Sequence, residues 1–273
     1  MMKRWLVTVI LLAAATTLHA QEGTNQQFEG FNLKGYNQDG QESWDVKGET
    51  ADIQGTEVIL SNVDANAYGD EDVNVKAATG RLDQKSGNMV LEEDVVITAE
   101  RGTQLLTDTL NWDKNADLVS TEDDVLITDK SMTVSGKGMK ARPGLKNTEI
   151  LKDVTVTMDT EPEDAVKKIL TITSDGPMVV DQAKGLATFD DNVFAIQENQ
   201  TLKADRMEVY FDQQMSALKE VVCIGNVEIT QGDNKTFADR AVYNAATQKI
   251  SLYGRPKLIM VTEGEGAITA TRN

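Results

Sequence analysis

Apolar and polar residues alternate along this chain in short runs, and an Asp or Asn punctuates the runs about every thirty residues. The punctuated phrase reads Asn62-Val63, Asp94-Val95-Val96-Ile97-Thr98, Asp124-Val125-Leu126-Ile127-Thr128, Asp153-Val154-Thr155-Val156-Thr157, Asn192-Val193 and Asn226-Val227-Glu228-Ile229-Thr230. A second phrase is interleaved with it: Leu82-Asp83-Gln84-Lys85-Ser86-Gly87, Trp112-Asp113-Lys114-Asn115, Val180-Asp181-Gln182-Ala183-Lys184-Gly185, Phe211-Asp212-Gln213-Gln214 and Tyr243-Asn244-Ala245-Ala246. Asp or Asn at the first position of a tight turn bonds the turn's own backbone through its side chain, so this second phrase predicts chain reversals. Each unit is then a hairpin and the chain a stack of hairpins.

No amphipathic helical stretch of ten or more residues stands out after Phe28, and none of the four prolines interrupts the best strands. The expectation is an all-β chain of antiparallel sheets with apolar facing sides, as in a jelly roll or sandwich. A parallel β-helix is also periodic, but it lacks a reversal inside every unit. Alternation with period two predicts an inward set of Val95 and Ile97, Val125 and Ile127, Val154 and Val156, Val209 and Phe211, Val227 and Ile229, and Leu252. A slip of one residue would exchange the faces.

The steps between punctuating residues are 32, 30, 29, 39 and 34, and the long step holds a charged, proline-bearing stretch over 159–168. That stretch predicts a boundary. Residues 1–20 combine Lys3 and Arg4 with an apolar run of fourteen residues from Trp5 to Leu18. This suits a signal peptide, whose apolar core is roughly 7–15 residues, better than a bilayer span. Leu18 stands where a small residue usually precedes cleavage, so a short membrane tether stays open beside a cleaved signal. The expected division is 1–20 signal or tether, 21–158 first jelly roll, 159–168 linker, 169–262 second jelly roll and 263–273 tail.

Chemistry is sparse. The one cysteine, Cys223, has no partner for a disulfide. The one histidine, His19, lies in the signal segment, so a mature chain would hold no Ser-His-Asp triad and no histidine-ligated metal. A net charge of −17 disfavours nucleic acid and anionic membrane faces as partners. Carboxylate pairs such as Glu92-Glu93, Glu122-Asp123-Asp124 and Asp190-Asp191 have the residue type for glycoside hydrolysis, but they read as strand starts facing solvent. Asp70-Glu71-Asp72 lacks the ligand spacing of a helix-loop-helix calcium site and reads as a solvated loop. The candidate terminal strands over 28–36 and 249–261, the latter broken at Gly254-Arg255-Pro256, offer edges for strand addition.

The stretches Leu202-Lys-Ala-Asp-Arg-Met-Glu-Val-Tyr-Phe-Asp212, Gly225-Asn-Val-Glu-Ile-Thr-Gln-Gly232 and Ala238-Asp-Arg-Ala-Val-Tyr-Asn244 resemble the OstA-like or LptA family of periplasmic lipopolysaccharide-transport proteins. The first half, with Phe28-Glu-Gly-Phe31, Asp39-Gly-Gln-Glu-Ser-Trp44 and Leu105-Leu-Thr-Asp-Thr-Leu-Asn-Trp112, is similar to LptC of the same system. The resemblance implies an elongated open β-jelly roll (β-taco), one continuous or two consecutive, that takes acyl chains between its sheets. It implies neither catalysis nor a cofactor. Its implied partners are lipopolysaccharide and other transport proteins joined by edge-strand addition, from an inner-membrane ABC-transporter complex to an outer-membrane translocon, with self-association also open. By motif position Leu110, Trp112, Val125 and Ile127 would line the slot in the first half, and Val209, Phe211, Val227 and Ile229 in the second; Val154 and Val156 join them from the inward set. The alternative to a lipid bridge is an exported structural or adhesive stalk with a filled interior.

Overall fold

The computed structural model describes residues 26–36, 39–69, 72–130, 132–142, 145–159, 168–212 and 217–261. The signal segment, the linker core 160–167, the tail from 262, and Asp70 and Glu71 lie outside the described residues. The first strands are β1 (Gln26–Tyr36), β2 (Glu42–Gln54), β3 (Glu57–Ala67), β4 (Val73–Asp83), β5 (Met89–Ala99), β6 (Gln104–Asp113), β7 (Leu118–Thr128), β8 (Met132–Arg142) and β9 (Asn147–Asp159). They continue as β10 (Ile169–Ser174), β11 (Met178–Asp181), β12 (Leu186–Gln197), β13 (Gln200–Phe211), β14 (Leu218–Gln231), β15 (Asn234–Asn244), β16 (Lys249–Tyr253) and β17 (Lys257–Ile259).

These 17 strands form one sheet, and each pairs antiparallel with its neighbours in the chain. Two positions are shared by a broken strand. β10 and β11 both lie between β9 and β12, and β16 and β17 both lie on β15. The ladder therefore runs across the expected boundary, with Ile169 opposite Asp159 and Ser174 opposite Val154.

Four of the five predicted reversals lie among the described residues and are built as the residue types require, while Gln213-Gln214 of the fifth lie outside them. Asp83 Oδ1 accepts from the backbone N–H of Lys85 at 2.9 Å and of Ser86 at 2.7 Å, and Asp113 Oδ1 from those of Asn115 and Ala116 at 3.0 Å. Asp181 and Asn244 accept in the same way from Lys184 and Thr247.

The punctuating phrase does something else. Its Asp and Asn residues sit in the middle of strands, where Asn62, Asp94, Asp153, Asn192 and Asn226 have φ between 46° and 53°. Register shifts accompany several of them. Asp and Asn tolerate this left-handed backbone better than other side chains, and one such residue inside a strand makes a bulge that bends it. The asparagines are tied down outside the bend: Asn192 Nδ2 donates to Asp175 Oδ2 at 2.7 Å and Asn226 Nδ2 to Asp205 Oδ2 at 2.9 Å, while Asn62 donates to Glu49. Glu92-Glu93, Glu122-Asp123-Asp124 and Asp190-Asp191 therefore lie at strand middles rather than strand starts.

The bends are aligned from strand to strand, so the sheet folds along a crease into two arms. Buried residues cluster on both sides of that crease: Leu60 and Val63 on β3, Leu91 and Val95 on β5, Ile150 and Val154 on β9, Phe189 and Val193 on β12. Val95 and Ile150 are fully shielded, although strands pair only with chain neighbours and no helix covers them among the described residues. Among the described residues only the opposite arm of the same sheet can cover them. At Gly136, in the bend of β8, the neighbouring strand β9 comes so close that a Cβ would overlap the Ile150 side chain and lie 3.1 Å from the Lys152 carbonyl oxygen. Gly136→Ala is expected to cost about 1–3 kcal/mol through overpacking, read as a lower urea midpoint; an unchanged midpoint would show that the crease has slack.

Candidate functional site

Two cross-strand ladders line the inner faces, one on each arm. The first runs Leu33–Val46–Ala65–Val75–Ile97–Leu105–Ile127–Val134–Val156–Ile172–Ala195–Leu202–Ile229–Thr236–Leu258, each residue opposite the next. The second runs Gln26–Ile53–Val58–Leu82–Met89–Trp112–Val119–Ala141–Thr148–Val180–Ala187–Val209–Val221–Tyr243–Ile250. No position of either ladder carries a charge. With neighbouring strands about 4.8 Å apart, fourteen steps make an apolar track of about 67 Å.

On several strands burial falls away from the crease toward the lips, whereas over β8–β12 the first ladder stays buried at Val134, Val156, Ile172 and Ala195. Val95, Val125 and Val227 are buried, whereas Ile97, Ile127 and Ile229, two residues further along the same faces, are half-buried. On the other arm Leu110 is buried and Trp112 is 40% exposed, and Val209 is buried while Phe211 is half-buried. The two arms are packed at the crease, and on β5, β6, β7, β13 and β14 their inner faces become partly exposed toward the lips.

The residues singled out from the sequence thus divide by depth. Leu110, Val125, Val154, Val156, Val209 and Val227 belong to the packed part, and Trp112, Ile127, Phe211 and Ile229 to the open part. The inner face also presents half-buried Met89, Leu105, Met158, Leu170, Leu202 and Val221, which the sequence reading passed over. Most of them lie on the strands or half-strands outside the punctuating phrase, where the same alternation in Leu105-Leu106-Thr107 and Met89-Val90-Leu91 was the available signal.

Charge is kept outside. Arg206 on β13 bonds Asp190 at 2.6 Å and Glu208 at 3.0 Å, and Tyr210 donates to Glu208 at 2.8 Å. Asp45 is the one carboxylate buried among the described residues, and it alternates with inward Val46. Its partners are the Tyr68 hydroxyl at 2.6 Å, the Asn66 amide at 3.2 Å and the Lys47 ammonium at 3.7 Å, not a second carboxylate. The Tyr68 hydrogen bond holds the Asp45 carboxyl below its ordinary range against the opposing effect of burial, and the same bond pushes the Tyr68 hydroxyl up to about 12. Burial pushes the Cys223 thiol up to about 12, which leaves it unreactive. No three His, Cys, Asp or Glu side chains among the described residues converge as metal ligands. A concavity of about 820 Å³ beside the crease is lined by Asp94, Asp124, Asp153 and Lys137 as well as Leu106 and Leu126, and its carboxylates suit neither acyl chains nor phosphates.

Among the described residues both ends of the ladder are open. There β1 pairs only with β2, held by two aromatic rings laid over glycines, Trp44 on Gly35 and Phe31 on Gly48. Among the same residues β16 and β17 pair only with β15, and Leu258, Met260 and Val261 are each at least 60% exposed. The residues over 28–36 and 249–261 are edges, with the expected break between Tyr253 and Lys257.

A family model described as lipopolysaccharide-assembly, LptC-related, matches residues 14–159, more than half of the chain. A second, described as the LptA/(LptD N-terminal domain) LPS transport protein, matches residues 171–272. No curated protein matches the chain. Among solved structures, LptH, the LptA homologous periplasmic component of the lipopolysaccharide transport device from Pseudomonas aeruginosa, is 15% identical over 70% of this chain and 95% of that one, with a TM-score of 0.25.

Proposed function

Since the chain belongs to the LptC-related family of lipopolysaccharide-assembly proteins and continues into an LptA/LptD N-terminal-type segment, we propose that it is a periplasmic, non-enzymatic bridge element. It carries lipopolysaccharide from the inner toward the outer membrane with the acyl chains in the slot between the arms. The observation that carries this reading is the fall in burial along uncharged inner faces, from Val125 to Ile127 and from Leu110 to Trp112. A stalk with a filled interior would bury both members of each pair.

Acyl burial supplies enough affinity by itself. Each methylene moved from water to an apolar surface contributes about 0.8 kcal/mol, so a few buried segments hold a lipid without any basic pocket. The acidic surface repels lipid A phosphates unless they stay in solvent, which the open side of the slot allows. The other transport proteins of the system are expected at the two edges by strand addition, and the joint between the LptC-like and LptA-like parts is already made within the chain, which raises its effective concentration over a two-protein joint. Residues 1–20 would then export or tether the chain.

The head group and the tails can be separated experimentally. Dephosphorylated lipid A is expected to be captured within about threefold of the parent lipid, whereas removal of two acyl chains should weaken capture at least about tenfold, since 1.4 kcal/mol is less than two methylenes. Capture that disappears with the phosphates would contradict binding through the tails.

A further inference from the structure

We infer that the uncharged track holds two separate acyl-chain sites, one over β2–β7 and one over β13–β15, kept apart by a methionine-rich septum over β8–β12. This rests on the bridge reading and specifies where along the chain its lipid lies.

The first ladder changes depth twice along the chain. Val46, Ala65, Val75, Ile97, Leu105 and Ile127, on β2–β7, are half-buried. Val134, Val156, Ile172 and Ala195, opposite one another on the next four strand positions, are each 8% exposed or less. Leu202, Ile229 and Thr236 on β13–β15 are half-buried again. The buried run covers three steps between neighbouring strands, about 14 Å of the track, so it is a filled stretch and not a single contact. It straddles the joint between the LptC-related match, which ends at 159, and the LptA/LptD N-terminal-type match, which begins at 171. One site therefore falls in each part of the chain.

The other arm supplies what fills the stretch. Beside the crease, Met139, Ile150, Met178, Phe189 and Met207 follow one another from strand to strand. All five are buried, and they share one packed cluster with the four residues of the first ladder. No other methionine and no other aromatic side chain is buried among the described residues. An unbranched methionine with three rotatable bonds fills irregular gaps, so the two arms close here without a rigid match of shape. The lip is closed in the same place. Two residues outward of the first ladder, Met132, Met158 and Leu170 lie opposite one another and pack on the cluster. The same row carries the smaller Ala67, Val73 and Ala99 before them, and the polar Gln197, Gln200 and Gln231 after. None of these rows carries a charge, which suits acyl chains on either side of the septum.

The test loads the full chain with lipid A carrying a photoactivatable diazirine in one acyl chain and maps the adducts by peptide mass spectrometry. Adducts on Ile97 and Leu105, and on Leu202 and Ile229, are expected to exceed those on Val156 and Ile172 about tenfold, because a close-packed interior admits no tail. Lipid should saturate at two molecules per chain. Met178→Ala leaves a cavity in the septum and is expected to raise the adducts on Val156 and Ile172 about fivefold, in a variant that keeps the parent's circular-dichroism spectrum. Met178→Ile conserves volume and should leave the parent's pattern. Should Met178→Ala not fold, the parent's own map and stoichiometry still decide. Adducts spread evenly over β2–β15, adducts confined to one of the two stretches, saturation at one lipid, or an unchanged pattern in folded Met178→Ala would overturn the division and leave the bridge standing. A folded parent with no adduct on any inner row would sink the bridge and the division together.

Discussion

Val125→Asp is expected to unfold the chain at ambient temperature or leave it with a small remnant of its stability. Val125 is 2% exposed, lies on β7 beside the crease opposite Gly136, and faces the other arm where the two are in contact. A carboxylate there loses its water and meets only apolar neighbours of the packed line, among them Val95 and Val134. The cost is on the order of 3–5 kcal/mol, against a total stability of about 5–15 kcal/mol for a typical domain. Circular dichroism with a urea titration measures it. A midpoint close to the parent's would mean that the crease admits water and that the arms are not packed where the fold requires it.

Ile127→Asp, two residues along the same face of the same strand, is expected to behave differently. Ile127 is half-buried between Leu105 and Val134 on the first ladder, where its new carboxylate can turn toward solvent at the lip of the arm. The destabilisation should stay near 1–2 kcal/mol, while capture of lipid falls at least about tenfold, because a charge now stands in the acyl path. Loss of folding as large as that of Val125→Asp would show that no slot opens at this depth. Unchanged capture would place the acyl chains elsewhere.

The contrast between these two substitutions marks what the sequence alone leaves open. The pattern in Asp124-Val125-Leu126-Ile127-Thr128 gives both residues the same face, and the structure puts both inward. Depth is not in the pattern, because it depends on distance from a crease that period-two alternation does not mark. The turn aspartates were legible because Asp83 and Asp113 cap local backbone within three residues, an interaction that needs no tertiary context. The same residue type at Asp190-Asp191 reads from the sequence as a strand start, whereas Asp191 sits at a mid-strand bulge with φ 64°. An Asp that accepts left-handed backbone looks alike in a turn and in a bulge, and only the pairing of the flanking residues tells them apart.

Bulges also explain the inner residues that escaped notice. Leu60 and Val63 face inward three residues apart across Asn62, whereas Leu91 and Val95 do so four apart across Glu93 and Asp94. Alternation counted through such a point changes face or keeps it according to how many residues the bulge inserts. Positions preceding the punctuation, such as Met89 and Leu91, were therefore not in the inward set. The family resemblance was legible because it rested on three ordered phrases between Leu202 and Asn244, and the LptC-related and LptA/LptD matches cover the two parts in the same order.

Mass spectrometry of lipids co-purifying with the full chain, expressed in the periplasm of a lipopolysaccharide-producing cell, tests the slot most directly, with Ile127→Asp purified in parallel. Lipopolysaccharide on the parent and its loss from a variant that keeps its circular-dichroism spectrum is the predicted result. A folded parent that carries no lipid, or a variant that carries as much as the parent, would contradict the account.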